Sequence, residues 1–193
     1  MTHTFLGRSI VAAAVAAVLA VTAAAQEAKP KPVRFTAFAV NLGSGPNAGT
    51  VDIVLERLSS DEERANLLAT FLEGGQDKLL TALQQVKPRV GYIRTPNSLG
   101  YDLQYAYRTV NSDGSSRIVI GTDRRVGYWE ARNQPRTMDY PFTLIEIRLD
   151  KEGNGEGRMA VGTKISRSKD GKTIELENYG ISPVALKNIT IAK

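Results

Sequence analysis

The run Arg125-Val-Gly-Tyr128-Trp129-Glu130-Ala-Arg132-Asn-Gln-Pro-Arg136 concentrates the side chains best suited to recognition in this chain. It belongs to a wider bias. Between Pro88 and Asp150 lie six of the seven tyrosines (Tyr92, Tyr101, Tyr105, Tyr107, Tyr128, Tyr140) and the single tryptophan, Trp129. All nine basic residues there are arginine: Arg89, Arg94, Arg108, Arg117, Arg124, Arg125, Arg132, Arg136 and Arg148. Lysine is absent from that stretch but common on either side of it. A guanidinium is planar, always charged and able to stack, so it pairs with carboxylate or phosphate and lies on aromatic rings. Tyr, Trp and Arg are also the residue types that dominate binding hot spots. Stacking by Tyr128 and Trp129 with charge pairing by Arg125, Arg132 and Arg136 would hold an anionic or glycan-like ligand, or a partner protein. The competing explanation is packing, because aromatic residues favour strands. Tyr101, Leu103, Tyr105 and Tyr107 alternate like one face of a packed sheet.

Other patterns carry less chemistry. A carboxylate pair can hydrolyse a glycosidic bond without histidine. Glu130, Asp139 and Glu146 are the acids nearest the aromatic residues, but Glu146 shares a strand face with Arg148, which makes an outer-face ion pair the simpler expectation. Asp150-Lys-Glu152-Gly-Asn154-Gly155-Glu156 resembles the front half of a calcium loop, yet its twelfth position is Val161 and its flanks read as strands, so a hairpin turn is expected. Gly153-x-Gly155-x-Gly157 opens a strand and offers no helix N-terminus to a phosphate. Ser166-x-x-Lys169 stands at a strand end, whereas acyl-transfer chemistry of that pattern needs the serine at a helix start.

The N-terminus narrows the chemistry further. Arg8 precedes an apolar run, Ile10–Val21, and Ala23-Ala-Ala25 precedes a polar stretch. A basic start, a short apolar core and a small-residue site describe a secretory leader. Residues 1–25 are therefore expected to be removed, leaving 168 residues for the periplasm or the extracellular space. The leader takes His3, the only histidine, and the chain has no cysteine. Nucleophile systems that need His or Cys are thereby excluded, as are the usual nitrogen or sulfur metal sites. No cofactor, metal site or catalytic residue is expected, and no lipid-anchor cysteine follows the leader, so no stable membrane anchor should survive cleavage. Loss of Arg8 leaves 24 basic against 20 acidic residues, a well-mixed net +4. That is no concentrated footprint for nucleic acid.

These side chains must be positioned by a β-rich scaffold. Residues 26–32 read as an extended Lys/Pro linker and 33–193 as one domain. Val33–Leu42 and Thr50–Leu58 alternate with strand period, the first pointing Val33, Phe35, Ala37 and Ala39 one way and the second pointing Val51, Ile53 and Leu55 inward. Ser60-Asp-Glu-Glu63 is a capping box. Apolar residues then recur at helical spacing over about 60–86, interrupted by Gly74-Gly75. After Pro88 the periodicity predicts strands at Arg89–Thr95, Tyr101–Val110, Ser116–Gly121, Arg125–Ala131, Phe142–Asp150, Gly157–Ser166, Thr173–Asn178 and Val184–Ile191, separated by Asn/Asp-Gly turns. The fold class is α+β: mainly an antiparallel β-meander curled into a barrel or sandwich around one helical insertion.

The functional expectation that follows is an exported, non-enzymatic binding module acting through Arg125, Tyr128, Trp129, Arg132 and Arg136. A structural or assembly protein of the cell envelope, pairing through its sheet edges, is the alternative. A carboxylate-based glycoside hydrolase is the third.

Overall fold

The computed structural model describes residues 31–41, 47–96, 98–126, 139–168, 174–178 and 183–192. The strands are β1 (Val33–Asn41), β2 (Asn47–Leu55), β3 (Gly91–Arg94), β4 (Tyr101–Leu103), β5 (Tyr105–Val110), β6 (Ser116–Thr122), β7 (Phe142–Leu149), β8 (Gly155–Arg167), β9 (Ile174–Asn178) and β10 (Val184–Ile191). One helix, α1 (Asp61–Gln84), separates β2 from β3. All the pairings are antiparallel, in the order β4-β3-β2-β1-β10-β8-β7-β6-β5, with β9 added beside β8. The architecture is thus the expected α+β meander, and the barrel alternative is the one realised.

The sheet curls until its two ends meet on one continuous segment. β4 pairs with β3, and β5 pairs with β6, across a break at Gln104. The Gln104 amide donates to the Gly121 carbonyl at 3.1 Å, and the Thr122 hydroxyl donates to the Asp102 carbonyl at 2.9 Å. These bonds stitch β4 to β6 and nearly close the barrel. The break also shifts the side-chain phase. Leu103 and Ala106 both point into the bore, so Tyr105 and Tyr107 lie outside it. The even alternation expected through Tyr101–Val110 does not hold, because one residue is spent in changing partner strand.

The bore is filled by the strands themselves. Phe35, Ile53, Ile93, Leu103, Ile120, Ile145, Ile147, Leu186 and Ile189 are buried in one cluster, most of them supplied by the inward half of a period-two pattern, with a register shift in β10 between Leu186 and Ile189. Val51 and Leu55 join them as the alternation requires, while Val33, at the strand start, remains exposed.

The helix lies outside the barrel, not within it, which corrects the expectation of a sheet wrapped around the helix. Phe71, Leu79, Leu80 and Leu83 form a second cluster with Phe142 of β7, and Tyr105 and Ile165 pack against it. Phe142 sits in phase with Leu144, Glu146 and Arg148, opposite the inward Ile145, Ile147 and Leu149, so this cluster is on the outer face. Capping is as the sequence predicts: Ser60 Oγ accepts from the Glu63 amide at 3.1 Å, and Glu63 Oε2 accepts from the Ser60 amide at 2.8 Å. Ser59 fastens the helix start to β5, with its amide donating to the Ala106 carbonyl at 2.7 Å and its hydroxyl accepting from the Ala106 amide at 3.2 Å. Gly75, at φ 68° and ψ −158°, breaks the helix where Gly74-Gly75 predicted an interruption. A β-carbon in that left-handed region is strained, and glycine avoids it. Leu68 and Leu72 are exposed, because the buried side of the first half is carried by Phe71 with Leu67 beside it. Among the described residues no helix is long and apolar enough to cross a membrane.

Two expected strands change. β2 ends at Leu55, and the chain turns at Glu56 towards the helix. Arg125 and Val126, the described part of the expected strand Arg125–Ala131, are not in a strand. The Val126 amide donates to the Thr143 hydroxyl at 2.9 Å instead of continuing a ladder.

Candidate functional site

Part of the arginine and tyrosine bias is absorbed by ion pairs and ring contacts outside the bore. Arg89 pairs with Glu56 at 2.9 Å and with Asp102 at 2.6 Å. Its guanidinium lies 5.1 Å from the Tyr92 ring centre, and that of Arg94 lies 5.8 Å from it. Arg94 reaches Asp52 at 3.6 Å, and Asp52 also accepts from the Thr36 hydroxyl at 3.1 Å. Arg117 and Arg148 share Glu146, at 2.6 Å and 3.0 Å. The Tyr107 hydroxyl donates to Asp61 at 2.8 Å with Arg64 over its ring, and the Tyr140 hydroxyl donates to Glu177 at 2.8 Å. Register explains these pairs: Glu146 faces Val119, between Arg117 and Arg148 on the same outer face. Exposed pairs of this kind stabilise by about 0.2–1 kcal/mol each. They tune strand pairing and solubility, and the aliphatic bore holds the fold.

The shared pairing also bears on the acids that a glycosidase would need. Burial is the largest influence on Glu146 and pushes its carboxyl upward, but Arg117 and Arg148 together outweigh it and hold the group below its ordinary value. A carboxyl held ionised is a poor proton donor. Asp139 is exposed, and Glu130 lies outside the described residues. Glu63 is likewise held low, by its hydrogen bond from Arg57 against burial, and by the Ser60 amide. A carboxyl depressed in the folded state contributes stability that is present above its unfolded pKa and lost as pH falls through the folded one. Stability is therefore expected to fall as pH drops from the ordinary carboxylate value towards the lowered folded one, and Glu63→Gln or Glu146→Gln should flatten the slope of stability against pH in that window. A slope unchanged in both variants would contradict the assignment.

The Asp150–Asn154 stretch forms the expected turn. The Asp150 amide donates to the Asn154 carbonyl at 2.8 Å, and the Asp150 carboxylate accepts from the Asn154 amide at 2.8 Å.

A different set of polar groups gathers at the barrel end where β6 stops and β7 begins. Thr122 and Thr143, both fully buried, continue the inward phase of Ile118, Ile120 and Ile145 but place hydroxyls where the bore would otherwise be apolar. Gln104 is buried beside them, and its side-chain oxygen accepts from the Asp123 amide at 3.3 Å. Asp123 is 7% exposed and is the only buried ionisable residue among those described. Its carboxylate accepts from the Thr122 hydroxyl at 3.4 Å and from Arg124 Nε at 3.5 Å. Both distances are long for bonds to a charged acceptor.

Arg125 follows, half-buried, and its side chain lies over the backbone of Gly162 in β8. Gly162 sits at φ +67° in the interval where β7–β8 register shifts, and a β-carbon there would stand 3.0 Å from Arg125 Nε. Val126 then turns inward and packs on the bore cluster with Ala39, Tyr101 and Val161. The end of the barrel thus carries a buried acid, two arginines and a polar lining above an aliphatic plug.

Of the sequence-predicted residues, Arg125 is placed at this end. Tyr128, Trp129, Arg132 and Arg136 lie outside the described residues. Asp123, Gln104, Thr122 and Thr143 escaped the sequence reading. Their available signal was a polar residue at an inward position closing an apolar alternation, Ile118-x-Ile120-x-Thr122 and Thr143-x-Ile145-x-Ile147. Among the described residues no group of three or more His, Cys, Asp or Glu could hold a metal ion. No family model, curated protein or solved structure matches this chain.

Proposed function

We propose that this protein is an exported, non-catalytic binding module that holds an anionic, glycan-like ligand at the β6–β7 end of its barrel. The observation that carries the reading is a cluster of polar and charged groups at one end of the barrel. The bore is filled mainly with apolar side chains, and Asp123, Arg124 and Arg125 gather with Gln104, Thr122 and Thr143 at that end. Arg124 and Arg125 supply charge for an acidic group, and the same chain segment leads directly into Tyr128, Trp129, Arg132 and Arg136. Stacking on an aromatic ring with arginine at its side suits an acidic sugar ring, which offers an apolar face and a charged edge. Export is supported by the leader pattern of residues 1–25.

Trp129 is the sole tryptophan, so its fluorescence reports on the proposed site directly. Titration with a uronic-acid oligosaccharide, a sulfated glycan, a muropeptide and anionic phospholipid vesicles should give a saturable shift with one glycan class. Trp129→Ala is expected to abolish that binding, measured by calorimetry, with the melting temperature nearly unchanged. No response to any probe, or a large loss of stability in Trp129→Ala, would overturn the reading.

A further inference from the structure

A second surface adjoins that barrel end, on the part of β8 beyond Gly162, and does not depend on that reading. β8 is 13 residues long; Thr163–Arg167 pair with β9, and Lys164–Arg167 of these project past the end of β7. On the β7 side of this overhang the helix intervenes. Gln76 Oε1 accepts from the Ile165 amide at 3.1 Å, and Gln76 Nε2 donates to the Asp139 carbonyl at 3.3 Å. Arg167 donates to the Leu72 carbonyl. On the other side stands β9, and among the described residues no strand pairs with its far edge.

The two faces of β9 differ in chemistry. Leu176 is directly opposite Ile165, which packs on the helix cluster, so it faces the same way. Beside Ile165 is a groove of about 330 Å³, lined by Phe71, Leu72, Gly75, Gln76 and Arg167. Leu72 in that lining is 46% exposed, and Leu176, across from Ile165, is 57% exposed. The opposite face carries Glu175 and Glu177, both exposed. Glu175 stands across from neutral Ser166, and Glu177 stands across from Lys164 and accepts from the Tyr140 hydroxyl at 2.8 Å.

We propose that the far edge of β9 receives an extended segment of a partner protein in which basic and apolar residues alternate. An unpaired strand edge offers a row of backbone donors and acceptors to an incoming strand. Main-chain bonds give such an addition its affinity, and the alternate side chains give it specificity. Basic residues at alternate positions meet Glu175 and Glu177, and the apolar residue between them lies against Leu176. Charge argues against a second copy of this chain. Antiparallel pairing of two β9 strands about Leu176 sets Glu175 against Glu177 twice, and like charges directly opposite are destabilising.

The test uses the purified protein and a fluorescein-labelled peptide, acetyl-Lys-Val-Lys-Val-Lys-amide, read by anisotropy. Saturable binding is expected, weakened by added salt, and absent for the peptide with glutamate in place of lysine. Two reversed cross-strand charge contacts should weaken it about tenfold or more in the Glu175→Lys/Glu177→Lys double variant. Leu176→Asp should weaken it without a change in melting temperature. Where the double variant fails to fold, the comparison of the two peptides on the unmodified protein carries the same test. Equal binding of the lysine and glutamate peptides, or binding of neither, would overturn the proposal. So would a concentration-dependent dimer in sedimentation that Leu176→Asp dissolves, since that would give the edge to a second copy.

Discussion

Gly91→Ala is expected to destabilise the protein by about 3 kcal/mol or more, at the upper end of what overpacking costs. A β-carbon at position 91 would stand 1.9 Å from the Val54 carbonyl oxygen and 3.0 Å from Leu55 Cα. Both are backbone atoms, so no rotamer change relieves the overlap. β3 would have to draw away from β2, and Gly91 is paired with Leu55 on one side and with Leu103 on the other. The disturbance therefore reaches both neighbours and the buried Val90 beside it. Total stabilities of domains this size are about 5–15 kcal/mol. A loss of this order should appear as a large drop in the urea midpoint. Gly49→Ala is the matched control, because a β-carbon there meets nothing within 4 Å. Its midpoint should stay close to that of the unmodified protein, and equal midpoints for the two variants would refute the packing argument.

Phe142→Ala is expected to cost about 3–5 kcal/mol, the usual range for emptying a buried aromatic position. Phe142 is 0% exposed and is the β7 member of the cluster that Phe71, Leu79, Leu80 and Leu83 form on the outer face. The cavity would open between helix and barrel, where the helix halves meeting at Gly75 already lack a continuous ladder. At about 2–4 °C per kcal/mol for a chain of this length, the melting temperature should fall by roughly 10 °C. Amide exchange should accelerate along Asp61–Gln84 more than in β6 or β7, since the bore cluster does not include Phe142. A fall of only a degree or two, or uniform acceleration across the barrel, would show that the helix is not anchored through this residue. Ile145→Val, inside the bore, gives the comparison at about 0.5–1.5 kcal/mol.

The candidate site was legible in part. Arg125 was singled out for its place in an aromatic and arginine run, and the structure brings it to the polar barrel end beside Arg124 and Asp123. Arg89, Arg94 and Arg117 belong to the same bias, but their partners Glu56, Asp102, Asp52 and Glu146 come from segments distant in sequence. A count of arginines along the chain says nothing about which acids stand across the ladder.

What the sequence by itself determined is the set of features decided within a few residues of chain. The alternation of Val51, Ile53 and Leu55 makes β2, and Ser60 with Glu63 starts the helix. Gly75 breaks that helix, and the Asp150–Asn154 turn joins β7 to β8. What only the tertiary structure decided are the consequences of pairing between distant segments. These are the closure of the sheet across Gln104, the exit of Tyr105 and Tyr107 to the outer face, the helix outside the barrel, the burial of Asp123 and the overhang of β8 that pairs with β9. The physical reason is that period-two alternation defines two faces for each strand locally. Which face turns inward, and how far one strand runs past its neighbour, is set by register across many intervening residues.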